Sequence, residues 1–582
     1  MPRIPSLLPG LHPPFAHIFV FVPVVVLMVA GLGWPIARRL RLLPAEQVLA
    51  SAMLSVTGVW LVGWGVYVAN LPAAVLWVPP ALAVFGLWEG RKGALALFTN
   101  PETRALLLGQ ALVTVWALGL LLLVVSYSGG GWAGDWLEHL RRAQFFAGHG
   151  DRQQLFLGYY PVPARPPLVN VVEETLAGLG AVDFPHLQMA GTVLSSLVFL
   201  PLAALGGRWG ARFSPAVLAV LLLVNPAFTE NATFFWTKLP TAFFVLTCAY
   251  FFLFGTVSGP VNPAAILLCG LALAAGILGH YSAVPYAIVI VVAWVVAAVR
   301  RSDPRFWRWS LGSAALAAAF LLLWFGWSLA EYGPEVTFLQ NSTVMNPNAR
   351  EGGRAAMVAL NVRDTVVPAF LRRFDKSLVD QVSRRGYVRD YLFNLYQQNL
   401  LFGLGALGWI VFLREAWAAR SRPGARPWAL AVGVVIVLGI GVSGDRGEWG
   451  AAQLCLQPLL LTGLAFLAAR WETMPTRWRI LLAAGGLFDL AMGVALQFLT
   501  ENFAFDRWSH AHFWTDILAS YSWGTAFNLR AKVLGQVPFA GDVAGLPAGV
   551  ILALLGAILV AAVVAATRPR RAAAEGPETP AT

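Results

Sequence analysis

The sequence predicts an all-α, polytopic helical membrane protein with about 15 transmembrane helices. Three observations carry this. Hydrophobic residues make up 58% of the 582-residue chain and charged residues only 12%, against roughly a quarter charged in a soluble domain. Mean hydropathy is +0.67. Apolar runs near the length needed to cross ~30 Å of hydrocarbon recur along the whole chain. A closed β-barrel would instead show short segments of alternating polarity.

The runs place spans near 16–36, 48–69, 71–88 and 105–126. The next are 187–206, 214–229, 235–254, 263–279, 283–299 and 309–330. The last are 398–413, 427–443, 451–469, 479–499 and 547–566. Arginines then gather on alternate connections. They include Arg38, Arg39 and Arg41; Arg91, Lys92 and Arg104; Arg208 and Arg212; and Arg300, Arg301, Arg305 and Arg308. Arg414, Arg420, Arg422, Arg426, Arg470, Arg477 and Arg479 continue the series, which ends at Arg568, Arg570 and Arg571. The positive-inside rule makes these sides cytoplasmic. The N-terminus is then outside, the C-terminus is cytoplasmic, and the setting is an inner, plasma-type membrane. The first span lacks a small-residue cleavage site after it and reads as a retained helix. The net charge of +12 is orientation signal, so no nucleic-acid partner is expected.

Six regions follow: an N-terminal four-helix segment (1–126), a first long outer loop (127–186), central spans (187–330), a second outer loop (331–397), C-terminal spans (398–566) with a third outer loop (500–546), and a polar tail (567–582) that reads as disordered. No Walker-type GxxxxGK[ST] is present, which argues against an ATP-driven machine. Cys248, Cys269 and Cys455 lie in apolar runs and offer no disulfide framework. The working surface is the outer face, where the long loops are.

The first loop holds two amphipathic segments, DWLEHLRRAQFFAGHG from Asp135 and LVNVVEETLAGLG from Leu168. Both read as helices lying in the membrane interface with their charges on the side away from the apolar stripe. Asp135 suits a general base at the membrane boundary. It equally suits a helix N-cap, with Glu138 three residues on in capping-box position. Glu138 and His139 raise a divalent metal as the one candidate cofactor, beside a capping and an interfacial role. Arg142 and Arg165 are candidates for meeting a phosphate, and Arg141 reads as a headgroup contact. Lys238 and His280 sit at outer helix ends, where a cation can snorkel or serve an anionic ligand. Asp489, inside an apolar span, is either functional or hydrogen-bonded to a neighbouring helix. The third loop carries Asp506, His510, His512 and Asp516, a weaker metal pattern.

Three stretches resemble the GT-C superfamily of integral-membrane glycosyltransferases. The nearest likeness is to its family-39-like group, with protein O-mannosyltransferases and lipid A aminoarabinose transferases. They are GDWLEHLRRAQFFAGHG, YYPVPARPPLVNVVEETLAGLG and LQMAGTVLSSLVFLPLAALGGRWG. The resemblance implies a GT-C-like fold and transfer of a sugar from a polyprenyl-phosphate donor to an acceptor hydroxyl of a lipid, glycan or protein. It matches the family's first-loop acid to Asp135 as catalytic residue, with Glu138 and His139 supporting. Lys238, Arg165, Arg142 and His280 are then candidates for holding the donor phosphate. The chain departs from the family where Trp-Thr-Lys stands at 236–238 in place of a second acid. Two other readings stay open. One is an O-antigen polymerase or ligase centred on His510, His512 and Arg530. The other is a lipid-linked sugar transporter or flippase.

Overall fold

The computed structural model describes residues 14–124, 135–156, 160–210, 212–257, 260–340, 354–368, 395–397, 399, 402–418, 457–498 and 538–567. The main helices in chain order are α1 (Pro14–Gly31), α2 (Pro44–Val68), α3 (Val78–Glu89), α4 (Arg91–Thr99), α5 (Pro101–Leu121), α6 (Asp135–Gly148) and α7 (Leu168–Ala177). Then come α8 (Phe184–Ser196), α9 (Phe199–Trp209), α10 (Pro215–Val224), α11 (Pro226–Thr233), α12 (Lys238–Tyr250), α13 (Pro263–Gly279), α14 (Val284–Arg301) and α15 (Pro304–Phe338). The last are α16 (Arg354–Val366), α17 (Gly403–Ala418), α18 (Gln457–Arg470), α19 (Thr476–Ala491) and α20 (Ala548–Thr567). Among the described residues the only strand-like feature is an isolated antiparallel bridge, Phe156 with Tyr160.

The helix starts follow from local sequence. Asn100, Asp183, Asn262 and Asp303 each precede a helix with proline in its first turn, and each side chain accepts a backbone N–H of that turn. Proline has no N–H to lose there, and the carboxylate or amide oxygen satisfies donors that the helix leaves open.

Among the described residues nine helices are long and apolar enough to cross a membrane, and up to eleven if each of two bent pairs is one span. The protein is a multi-pass membrane protein. The bent pairs are Ala73–Glu89 with Arg91–Thr99 at 72°, and Pro215–Val224 with Pro226–Thr233 at 71°. The expected spans within the described residues overlap one or more of these helices, but the nine to eleven crossings are fewer than the 15 expected; 427–443 and the starts of 398–413 and 451–469 lie outside the described residues. Residues near several of the basic connections meet each other: Arg208 with Glu46 and Tyr250, Asn262 with the Arg41 carbonyl, and Arg470 with Glu415 and the Trp209 carbonyl.

The two loop helices depart from expectation. Both α6 and α7 are sunk into the bundle instead of lying on an interface. Asp135, Glu138, His139 and Arg142 on α6 are buried, and so is every residue of α7. The polar face therefore turns inward, against other polar groups. Close packing of α2 on α7 makes this possible: a Cβ on Gly63 would collide with the Thr175 hydroxyl.

Candidate functional site

The site is built from α6, the 160–167 segment and the start of α12. Arg165 precedes Pro166, which disfavours helical backbone at Arg165. Its φ of −130° and ψ of 144° are extended accordingly. This geometry delivers the guanidinium onto α6. Arg165 Nε donates to Glu138 Oε1 at 2.9 Å and Nη2 donates to Asp135 Oδ1 at 3.2 Å. Nη2 also lies 2.9 Å from Glu138 Oε2.

Arg142, one turn after Glu138, closes the network from the other side. Its Nε donates to Glu138 Oε1 at 2.7 Å, Nη1 to the Val162 carbonyl at 2.9 Å and Nη2 to the Pro161 carbonyl at 3.4 Å. The guanidinium lies 4.3 Å from the Phe156 ring centroid. All three nitrogens are thus engaged: Nε within α6, and the two Nη nitrogens tying α6 to the 161–162 carbonyls.

Trp236 supplies the contact that sequence reasoning missed. Its indole Nε1 donates to Asp135 Oδ2 at 2.9 Å, and Lys238 Nζ stands 3.9 Å above the same ring. Both Asp135 oxygens therefore have a donor, one cationic and one neutral. A carboxylate offers about four lone-pair positions, so acceptor capacity for a proton remains. Thr237, between Trp236 and Lys238, has a buried hydroxyl with no partner among the described residues. It precedes the first turn of α12, where open backbone N–H groups favour an anion.

The electrostatics separate the two acids. Burial pushes the Asp135 carboxyl up, and Arg165 only partly offsets this. Burial also raises Glu138, but Arg165 and Arg142 outweigh it and hold the group at about 2. Glu138 is a fixed anion between two guanidinium groups, whereas Asp135 is the more basic carboxylate. Burial, followed by Arg165, brings His139 down to about 3. His139 Nδ1 pairs with the Asn170 side-chain amide, 3.1 Å from Nδ2 and 3.3 Å from Oδ1. The buried His139 Nε2 has no partner among the described residues.

The remaining candidates fall as follows. His280 caps the turn that opens the next span, accepting from Ser282 N at 3.1 Å and meeting the Ser282 hydroxyl at 2.7 Å. Arg141 is half-buried and donates to Gln144 at 3.3 Å. Asp489 is hydrogen-bonded, not bare: Tyr396 OH donates at 2.6 Å, and Asn225 Nδ2 and Leu404 N each donate at 3.3 Å. Asp506, His510, His512, Asp516 and Arg530 lie outside the described residues. Glu138 does not fit as a metal ligand, because both its oxygens face guanidinium groups. Among the described residues no group of three His, Cys, Asp or Glu side chains could hold a metal ion.

Sequence reasoning also passed over Glu173 and Glu174 on α7. Burial pushes Glu173 well up and Glu174 to about 8. The stretch LVNVVEETL signals only amphipathicity, so two acids pushed up by burial were invisible in it.

No protein-family profile matches the sequence, and no curated protein does. Two solved structures of ArnT from Cupriavidus metallidurans are similar, each at 19% identity and a TM-score of 0.42. The apo structure matches over 81% of this chain and 78% of its own. The structure bound to undecaprenyl phosphate matches over 78% and 77%.

Proposed function

We propose that this chain is a membrane glycosyltransferase that moves a sugar from a polyprenyl-phosphate donor to an acceptor hydroxyl on the outer face. The observation that carries the reading is the buried contact set Arg165–Asp135–Trp236–Lys238. It puts a basic carboxylate beside the Arg165 guanidinium and the Lys238 ammonium, cations of the kind an anionic phosphate needs. The GT-C-like motifs at 134–180 and the GT-C resemblance support the same assignment.

In the reaction, the acceptor oxygen bonds to the anomeric carbon while the bond from that carbon to the phosphate oxygen breaks. The acceptor proton passes to an Asp135 oxygen, and the electron pair leaves with polyprenyl phosphate. Phosphate is a good leaving group, so its charge needs stabilising more than protonating. Arg165 and Lys238 supply that field, aided by the amide N–H groups opening α12. Trp236 is a positioning residue that fixes the Asp135 carboxylate. Arg142, whose nitrogens are engaged elsewhere, holds Glu138 and α6 in register.

The test is turnover in lipid nanodiscs. Full-length protein is given polyprenyl-phosphate sugars, and release of polyprenyl phosphate is followed for wild type and Asp135→Asn. Release by wild type that disappears in the variant supports the reading. Equal release from both removes Asp135 as the base, and no release with any donor favours the transporter reading.

A further inference from the structure

A groove of about 220 Å³ runs between α13, α14 and α15. One wall is Val291, Val295 and Ala298 of α14, at the spacing of a single helix face. The other is Trp307, Leu311 and Ala314 of α15. Gly270 of α13 lies at its floor, packed so closely on α15 that a Cβ there would collide with the Ser313 hydroxyl. Val291, Val295 and Leu311 are exposed, so the groove opens away from the bundle, toward lipid.

The groove presents carbon. Of its two serines, Ser310 accepts from Trp294 Nε1 at 2.9 Å and Ser313 donates to the Ile266 carbonyl at 2.7 Å. From Val291 to Ala298 it follows α14 for about 10 Å. Its far end is cationic. Arg308 follows Trp307 and stands one turn before Leu311, and Arg305 stands one turn before Arg308; residues three apart are neighbours on a helix surface. Both arginines are exposed. Cα–Cβ bonds on a helix tilt toward its N-terminus, which on α15 is this basic end. The segment 300–308 holds four arginines against one acid, Asp303, whose Oδ1 accepts from Arg305 N at 2.8 Å. Arg301 is engaged with the Thr256 carbonyl at 2.9 Å. Arg308 lies 6.0 Å from the Trp309 ring centroid, an aromatic at the level where headgroups lie.

We propose that this groove binds one anionic phospholipid from the leaflet that the positive-inside rule makes cytoplasmic, with an acyl chain between α14 and α15 and the phosphate at Arg305 and Arg308. A carbon-lined groove alone would take the chain of any lipid. The two arginines select among headgroups, as basic pockets between spans do. The occupant is distinct from the donor of the proposed reaction. At the opposite end of α14, Tyr281 OH donates to the Pro163 carbonyl at 3.1 Å, beside Arg165. The 18 residues of α14 separate that end from Arg300 and Arg301, a distance of about 27 Å. A second copy of the chain fits poorly here, because two such rims would set like charges against each other.

Native mass spectrometry of the full-length protein in detergent tests this. Phosphatidylglycerol, phosphatidylcholine with the same chains, and undecaprenyl phosphate are titrated separately and in competition. One phosphatidylglycerol should bind about tenfold more tightly than phosphatidylcholine. The double variant Arg305→Gln/Arg308→Gln should weaken it about thirtyfold. Ala314→Trp fills the groove and keeps the charges; it should weaken the same lipid about tenfold or more at an unchanged thermal midpoint. Val295→Trp does this from the opposite wall if Ala314→Trp does not fold. Equal affinity for the two phospholipids, or unchanged binding in the arginine variant, overturns the headgroup site. Unchanged binding in a folded groove-filling variant overturns the groove. Displacement of the phosphatidylglycerol by undecaprenyl phosphate, or a lipid-free dimer that Ala314→Trp separates, overturns the assigned occupant.

Discussion

Two arginine–carboxylate clusters at opposite ends of the bundle use the same residue types in different surroundings. At the end that the positive-inside rule makes the inner one, Arg208 donates to Glu46 at 2.9 Å and to Tyr250 at 3.2 Å, and Tyr250 donates to Glu46 at 2.9 Å. The Arg208 side chain keeps 37% of its surface exposed and Glu46 keeps 9%, so only the cation of this pair is solvated. At the outer end, the side chains of Arg165, Arg142 and Glu138 are 8%, 2% and 0% exposed. A half-solvated pair adds at most about 1 kcal/mol and fastens helices at little cost. A desolvated one is often no more stable than well-packed apolar residues of the same volume. Stability alone therefore accounts for the inner cluster and leaves the outer one to be explained by chemistry.

The sharpest way to break this contrast is Asp135→Asn, which should lower turnover about 10²–10⁴-fold, as loss of a general base does, while the fold persists. Folded protein that turns over normally would put the outer cluster on the same footing as the inner. Next is Arg165→Gln, which takes the charged partner from Asp135 and leaves Glu138 to Arg142 alone, and should cost about 3–5 kcal/mol in unfolding measurements. A loss under 1 kcal/mol would mean that water reaches the pair.

Trp236→Phe removes one donor to the Asp135 carboxylate and should reduce kcat about tenfold with little change in KM. A hydrogen bond to the charged form favours ionisation, so its loss moves the acid limb of the pH–rate profile to higher pH. A merely structural tryptophan would leave that limb in place. Glu174→Gln tests buried acids that have no cation. Glu174 has a folded pKa raised from 4.5 to about 8, so the folded state holds the extra proton between those values. Its contribution is fully present below pH 4.5 and is lost as pH rises through about 8. Glutamine should therefore leave stability unchanged at pH 4.5 and raise it at pH 8.5. A gain at the acidic end instead would reverse the assignment. The smallest effect belongs to the inner end, where Arg208→Gln should cost under about 1 kcal/mol.

The membrane architecture was legible because a helix crossing lipid must satisfy its own backbone and show an apolar run. Asp135 and Arg165 were legible because charge in an oily chain is conspicuous, and Pro166 fixes the backbone that presents Arg165. The inward turn of α6 and α7 was not, since an amphipathic pattern reports two faces and not what covers the polar one. Trp236 carries no signal of its own among so many interfacial aromatics. The hydrogen-bonded amides Asn231, Gln397 and Gln457 were invisible for another reason: they are separated by long stretches of chain and meet only after folding. Arg142 was conspicuous, yet its engagement with the Val162 and Pro161 carbonyls is a property of the folded loop.

The 71° bend between α10 and α11 gathers two polar sets along one short stretch of chain. α11 carries Asn231, bonded to Gln397 and Gln457, and a few residues later Trp236 reaches Asp135. A small tilt of that crosspiece moves both contact sets together, so a substitution at the amide end should be felt at the Asp135 carboxylate.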